Sequence, residues 1–553
     1  MTAVNHSMYD VRDYGAAGDG NALDTNAINR AIARCHERGG GTVRLSAGVY
    51  LSGTVFMRSD VTLYLEAGAV LLGSPNVDDY PKLPYTSEHR NTALIAAIGA
   101  ERFSIEGRGT IDGNGDAYAL YERADLLRDF DASFTRQGEA YFRENDKAED
   151  GPVEMKSRPG ILILILNGRD AQVSRVHIRN APNWCLHVAG TDGALLTGLD
   201  IKNSLLVPNA DGIDVSRSRN VRISDCNIEA GDDGLAFSPC AEGFGGGANE
   251  NIVVQNCTIQ SRSAGIRIGW DAYDFRNFLF HNIVIRDSNR GIGLFLREGE
   301  SIENVVFSNI TIETRLHKGK WWGKAEPIHI SALPGLEHAG RIVDRHVKPG
   351  RVRGVTFSNV TIRGEQGIVL YGSEHTPLED ITFDNIRMQM TSGPLMETFG
   401  GNFDCRPTLD GELNVFGHDI PALYAKHVKR LKLRGFELEW ADGMPDYCRS
   451  GIEIEAFAEL EIDGFRGRQP QADGTAIVLR GGRGAVVRNS IAAPGTSCFL
   501  RAEGVEGAAL YAGNVTLEAR EAIAPLGHGF IQHGNIEGAG EIGPAGAALE
   551  VRA

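Results

Sequence analysis

The sequence lacks any apolar run approaching the ~20 residues that a membrane-spanning helix needs, which excludes a helical membrane protein. Positive charge is also short: 56 Lys and Arg face 72 Asp and Glu, a formal net charge of −16. Such a surface repels a phosphate backbone and anionic lipid, so neither nucleic acid nor a membrane is expected as a partner. Cysteine is scarce, eight residues in 553 without one CxxC pair, which argues against zinc ribbons and disulfide scaffolds. No Gly-rich phosphate loop, Ser-His-Asp ordering or metal-ligand spacing stands out, so no cofactor and no metal are expected. The start, MTAVNHSMYDVRDYG, has no basic segment, apolar stretch or small-residue cleavage site and predicts a cytoplasmic protein. Proline is sparse, with 20 residues, whereas glycine is abundant, with 68.

What is present is repetition. NVRISDCNI (220–228), NIVVQNCTI (251–259), NFLFHNIVI (277–285), NVVFSNITI (304–312), GVTFSNVTI (354–362) and DITFDNIRM (380–388) align, their starts 31, 26, 27, 50 and 26 residues apart. Each unit is two alternating mini-strands joined by a polar bend, with apolar residues inward at every second position. A unit of this kind cannot bury its apolar face alone and must stack on copies of itself. Coils of ~25 residues with three short strands predict an all-β, right-handed parallel β-helix.

Weaker coils precede these, in 41–50, 60–73, 102–113 and 161–178, and follow them, in 427–440, 460–467 and 485–493. One β-helix domain over 1–553 is therefore expected, its stack running from about residue 10 to 520. Residues 1–40 form a cap region: Asp24 suits an N-cap, Ile28, Ile32 and Cys35 line one helical face, and Gly39 suits the stop, so a helix over 24–38 should close the apolar end. Segments 117–158 and 313–353 read as loop insertions forming a cleft, and 530–553 as a C-terminal tail.

The densest acidic pattern is NADGID (209–214) followed by GDDGLAF (231–237). Asp211 and Asp232 are 21 positions apart, close to one coil, so their backbones should stack at about one strand spacing, ~4.8 Å. Aspartate in β-helix turns often caps a bend. An Asp stacked over an Asp-Asp pair is different, because like charges so close cost stability and push pKa values apart. Asp211, Asp232 and Asp233 are thus the candidate catalytic carboxylates. Their crowding suits acetal hydrolysis, one protonated carboxyl assisting the departing oxygen while a carboxylate activates water.

NADGID and GDD inside Asn-rich coils resemble glycoside hydrolase family 28, the polygalacturonase family. GTIDGNG (109–115), Arg158-Pro159 and NAPNWCLH (180–187) are similar to family blocks in the same order. The resemblance, over roughly 8–390, implies inversion at the anomeric carbon, with Asp232 as general acid and Asp211 and Asp233 holding and activating water. Two departures bear on the substrate. Ser263, Ala264 and Gly265 stand where the family has Gly-His-Gly, and Gly293, Leu294 and Phe295 stand where it has the Arg-Ile-Lys that grips a galacturonate carboxylate. Arg267 or Arg297 is the available replacement clamp, although an arginine on a β-helix face is more often a solvated or stacking residue.

Further substrate-binding candidates are Trp270, Trp321 and Trp322 as sugar platforms, Phe295 as an apolar wall, and Glu298, Glu326, His329 and His187 as groups that hydrogen-bond hydroxyls. For Glu298 and Glu326 surface charge is the alternative, and for His187 a structural role. The expected activity is inverting, exo-acting hydrolysis of a terminal non-uronate sugar on an oligosaccharide. The alternatives are a polygalacturonase or rhamnogalacturonan hydrolase with a rebuilt clamp, a β-helix polysaccharide lyase, and a silent carbohydrate-binding β-helix.

Overall fold

The computed structural model describes residues 8–84, 91–121, 153–238, 247–269, 273–297, 299–317, 322–333, 337–338, 341–342, 350–406, 408, 411–524 and 530–538. Alternation of apolar and polar residues drives the chain into short strands, and these stack in parallel ladders as a right-handed β-helix. The ladders run from Met8–Asp10, paired with Gly41–Leu45, through to Ile536–Glu537, paired with Val515–Thr516.

The strands Asn249–Ser261, Phe275–Ser288, Ser301–Thr314, Arg351–Gly364 and Leu378–Met390 each bend at more than one left-handed residue. The second such residue in each is an asparagine, Asn256, Asn282, Asn309, Asn359 or Asn385, with φ of 54 or 55°. Asparagine tolerates this conformation better than other non-glycine residues. Its amide also bonds to the asparagine one coil below, at 3.3 Å for Asn282 to Asn256 and for Asn309 to Asn282. Inside, like stacks on like: Phe280, Phe307, Phe357 and Phe383 lie face to face, with ring centroids 4.6, 4.9 and 4.9 Å apart.

A helix, Thr25–Glu37, packs Ala27, Ile28, Ala31, Ile32 and Cys35 against the first coils, contacting Gly41–Leu45, Val55–Phe56 and Val61–Leu65. Its end is at Gly39, with φ 90°. The expectation for Asp24 needs correction. It sits at the N-cap position, but its carboxylate accepts from Ala17 and Gly18 N–H, at 2.7 and 3.0 Å, rather than from the helix. The loop before the helix offers it amides already turned toward it.

One ladder carries the features considered below. It contains Trp184–Ala189, Ile213–Ser216, Leu235–Phe237, Ala264–Gly269, Arg290–Leu296, Ile328–Ala332, Ile368–Tyr371 and Leu423–Lys429 in spatial order. After Met390 the chain leaves the coil and returns at Leu423. This excursion includes an antiparallel pair, Asn402–Asp404 with Val415–Gly417, and the sequence reading did not single it out. Of the expected insertions, 122–152 lies outside the described residues, and Ala119–Leu120 pairs antiparallel with Glu154–Met155 beside it.

Candidate active site

Glycines set the site's spacing. A Cβ on Gly212 would lie 2.3 Å from Gly234 O, and one on Gly234 would lie 2.7 Å from Gly265 O. Only glycine lets successive coils approach so closely here, and the residue before each glycine is thereby lined up with its neighbour. Gly212 N–H donates to Asp233 O at 2.9 Å, and Ile213 pairs with Leu235. Asp211 therefore stacks on Asp233, not on Asp232 as the 21-residue spacing predicts. The coil is 22 residues here, which leaves Asp232 one position off register.

The three carboxylates converge even so: one oxygen of each lies within 4.8 Å of the others. Asp211 and Asp233 are buried, at 2% and 3% exposure, and Asp232 is half-buried. Asp233 accepts from Ala264 N–H at 3.0 Å and from Arg267 Nε in a close ion pair. Asp232 accepts from Asn209 N–H at 3.3 Å and from its side-chain amide at 3.4 Å. Burial, and then the charges of Asp214, Asp232 and Asp233, hold the Asp211 carboxyl well above the usual carboxylate range, with Arg267 opposing. The Arg267 guanidinium is held above its ordinary value by Asp233, against the cost of burial. The cluster therefore favours keeping a proton at Asp211 while Arg267 neutralises Asp233, the mixed protonation that acid-base work on one bond requires.

The other predicted residues fall into three groups. Trp270, Glu298 and Trp321 lie outside the described residues. His187 is buried beside the site, on the strand preceding Asp214's, with Nε2 2.9 Å from Ser216 Oγ and its ring edge-on to Trp184. Phe295, Glu326 and His329, together with Arg297, form a second buried cluster two to three coils beyond Asp233, and none of the four reaches solvent beyond 2% exposure.

Phe295 corrects an expectation: it is no open wall. The Arg290 and Arg297 guanidinium carbons lie 4.9 and 5.3 Å from its ring centroid, with His329 edge-on at 5.2 Å. Arg297 corrects another, because it bonds inward to Leu296 O, Ser331 Oγ and Cys405 O at 3.2, 3.1 and 3.2 Å rather than facing the groove. Burial pushes its pKa down to about 10. Trp322 is half-buried, with its carbonyl accepting from Asn289 at 2.9 Å and the Arg406 guanidinium over its ring.

Sequence reasoning missed four participants. Asp214, 1% exposed and three residues after Asp211, was visible in NADGID, but the position one coil on is Ala236, so no second acid marked it. Arg290 bonds Glu326 Oε2 at 3.4 Å and Asp404 O at 3.4 Å. Asp404 accepts from Gly323 N–H at 2.6 Å and from Arg406 Nη2 at 2.6 Å, and Arg406, Arg290 and that amide hold it far below the usual carboxylate range against burial. Asp404 is 114 residues from Arg290 and reaches it through the 391–422 excursion, so no local pattern signals the pair. Arg158, by contrast, belongs to a quoted block: its Nη1 donates to Pro182 O at 2.8 Å and Pro208 O at 3.1 Å, tying the NAPNWCLH turn to NADGID.

With this geometry in hand, comparison with known proteins is informative. Residues 40–399 match the pattern of "Glycosyl hydrolases family 28". The chain is 28% identical over 260 residues to an exo-poly-alpha-D-galacturonosidase of Dickeya chrysanthemi, covering 43% of each chain. It is 25% identical over 382 residues to an endo-polygalacturonase of Pectobacterium carotovorum subsp. carotovorum, covering 66% of this chain and 85% of that one. The matched stretch is thus less than half of the first relative's length. The solved family 28 exopolygalacturonase of Yersinia enterocolitica superposes with a TM-score of 0.56 at 20% identity, covering 83% of this chain and 78% of that one, which supports the fold.

Proposed function

Because the chain belongs to glycosyl hydrolases family 28, we propose that it is an inverting glycoside hydrolase that removes a terminal sugar from an oligosaccharide. The observation that carries this reading is the convergence of Asp211, Asp232 and Asp233 within 4.8 Å, with Arg267 paired to Asp233. Asp232, the half-buried member, protonates the departing glycosidic oxygen. Asp211, whose carboxyl holds its proton, helps hold the water by a hydrogen bond, and Asp233, paired with Arg267, takes the water's proton as it attacks the anomeric carbon from the opposite face.

Exo action is favoured by the 391–422 excursion. Its Asp404–Arg406 stretch lies against Arg290 and Arg297, blocking the face a few strand spacings beyond Asp233. A neutral terminal sugar is favoured by the fate of the clamp positions. Arg267 is engaged with Asp233, Arg297 is turned inward, and a Cβ on Gly293 would lie 2.5 Å from the Phe295 ring. Charge-assisted bonds to a uronate would each add ~1.5–3 kcal/mol, and their usual donors are absent from 293 and 295.

A second reading, a terminal galacturonide, is favoured by the nearness of Arg267 to the trio and by relatives named as galacturonosidases and polygalacturonases. Matched aryl α-glycosides, neutral and galacturonide, separate the two. Faster turnover of a neutral glycoside, with the inverted anomer seen first by NMR, is expected; a preference for the galacturonide replaces the first reading with the second.

A further inference from the structure

The second buried cluster holds polar atoms that its own residues do not satisfy. Glu326 and His329 are both fully buried. Glu326 Oε2 accepts from Lys324 N–H at 2.7 Å and from Arg290 Nε, but Oε1 has no hydrogen-bond partner among the described residues. Neither ring nitrogen of His329 has one among them. Buried polar groups are almost always paired, so three orphans in one place mark a missing partner. Oε1 and Nδ1 are 3.9 Å apart, too far for a direct hydrogen bond and suited to a bridging oxygen between them.

Position links this place to the hydrolytic centre. His329 pairs in register with Gly293, and Gly293 with Arg267, the partner of Asp233. The missing side chain at Gly293 lets the Phe295 ring lie over that position, near the two arginines. Burial, with Arg290 and Arg297 nearby, keeps the imidazole neutral. A neutral imidazole offers one donor and one acceptor, and a carboxylate oxygen accepts only. Hydroxyls, which both donate and accept, match this set; a carboxylate would face the Glu326 oxygen.

We propose that Glu326 Oε1 and the His329 ring nitrogens form a recess that binds hydroxyl groups of a neutral sugar unit of the substrate, three coil spacings of ~4.8 Å each along the face from the Asp233 coil and so a subsite separate from the cleaved bond. This rests on the exo, neutral-sugar reading above. The Asp404–Arg406 stretch is bonded to Arg290, Arg297 and Gly323 beside the recess; a sugar entering there shifts it, and its Cys405, a buried free thiol, reports that shift.

The test is calorimetric titration of the full chain with L-rhamnose, D-galactose, D-xylose and D-galacturonate, alongside alkylation of Cys405 followed by mass spectrometry. At least one neutral sugar should bind and speed Cys405 alkylation. Glu326→Gln and His329→Ala should each weaken that binding about tenfold or more, the scale of losing a hydrogen bond to a charged or buried group. His329→Gln, which keeps a donor and an acceptor, should recover part of it, and Asp232→Asn should leave it unchanged. Binding equal in all variants, or no neutral sugar bound by the unmodified protein, overturns the recess and assigns the orphans to structural water. The two readings fail separately. Turnover of neutral glycosides with variant-independent binding removes the recess alone, whereas variant-dependent sugar binding with galacturonide-selective turnover removes the neutral-substrate reading alone.

Discussion

Two faces of the same solenoid use one backbone spacing for opposite ends. Along the bent strands the stacked positions repeat: asparagine on asparagine outside, phenylalanine on phenylalanine inside. On the ladder from Trp184–Ala189 to Leu423–Lys429, each coil presents something different. The position paired in register reads His187, Asp214, Ala236, Arg267, Gly293, His329, Val369, Tyr424. Repetition lets every coil satisfy its neighbour with the same bond, whereas variety forces unlike charges together in places where only a ligand or a distant loop can complete them. The repeating face should therefore govern stability and the varied face chemistry, and substitutions can test how cleanly the two divide.

The largest expected effect is on the varied face. Asp232→Asn removes the proposed proton donor while keeping its shape, so activity should fall by about 10²–10⁴, while the thermal midpoint stays within a degree or two of the parent's by about the scale of surface changes. An active Asp232→Asn enzyme would move the acid elsewhere in the cluster. Next is the repeating face seen from inside. Phe307→Ala leaves a cavity between Phe280 and Phe357, and unfolding in denaturant should show a loss of ~3–5 kcal/mol at a site that is 0% exposed. Its kcat and KM should be unchanged; a shift in either would show that the two faces are coupled through the core.

A smaller loss is expected outside. Asn309→Ala places alanine at φ 54° and removes the bonds to Asn282 and from Asn359, at 3.3 and 3.2 Å. The left-handed conformation alone costs ~1–2 kcal/mol for a residue with a Cβ. Asn309→Gly should cost less, and the difference between the two, read from denaturant midpoints, separates backbone strain from the lost ladder bonds.

The same division explains what the sequence made legible. The fold was written in repeats such as NIVVQNCTI and NVVFSNITI, because a solenoid's contacts are between equivalent positions of neighbouring coils and so recur in the chain. The acidic trio was legible for a related reason, lying on adjacent coils, although the register that stacks Asp211 on Asp233 was set by close glycine contacts and not by counting. The second cluster was only half legible. Glu326 and His329 stand in one short segment, but the arginines beside them are tied to Asp404 and Cys405, a contact across an excursion of irregular sequence that carries no period. Phe295 was misread as a wall for that reason: the arginines near its ring, Arg290 and Arg297, are held by the Asp404 and Cys405 carbonyls.

The smallest expected effect bears on whether chemistry on the varied face costs stability. Asp211 is buried, and burial together with Asp214, Asp232 and Asp233 raises its carboxyl well above the ordinary value of 3.8. In the unfolded chain the group titrates near that ordinary value. Between the two values the folded state holds the proton and the unfolded state does not, so stability falls as pH rises through this window and then levels off. Asp211→Asn removes the titration, with a side chain of nearly the same shape. Below pH 3.8 variant and parent carry the same charge at this position and should unfold alike. As pH rises above it, the variant should gain relative to the parent, and at neutral pH its thermal midpoint should be the higher of the two although its activity is lost. Thermal unfolding of both proteins from acid to neutral pH gives the comparison directly. If the variant is less stable at neutral pH, the Arg267 guanidinium relies on the Asp211 charge more than burial opposes it, and the trio is then a stabilising network and not a stored cost of catalysis.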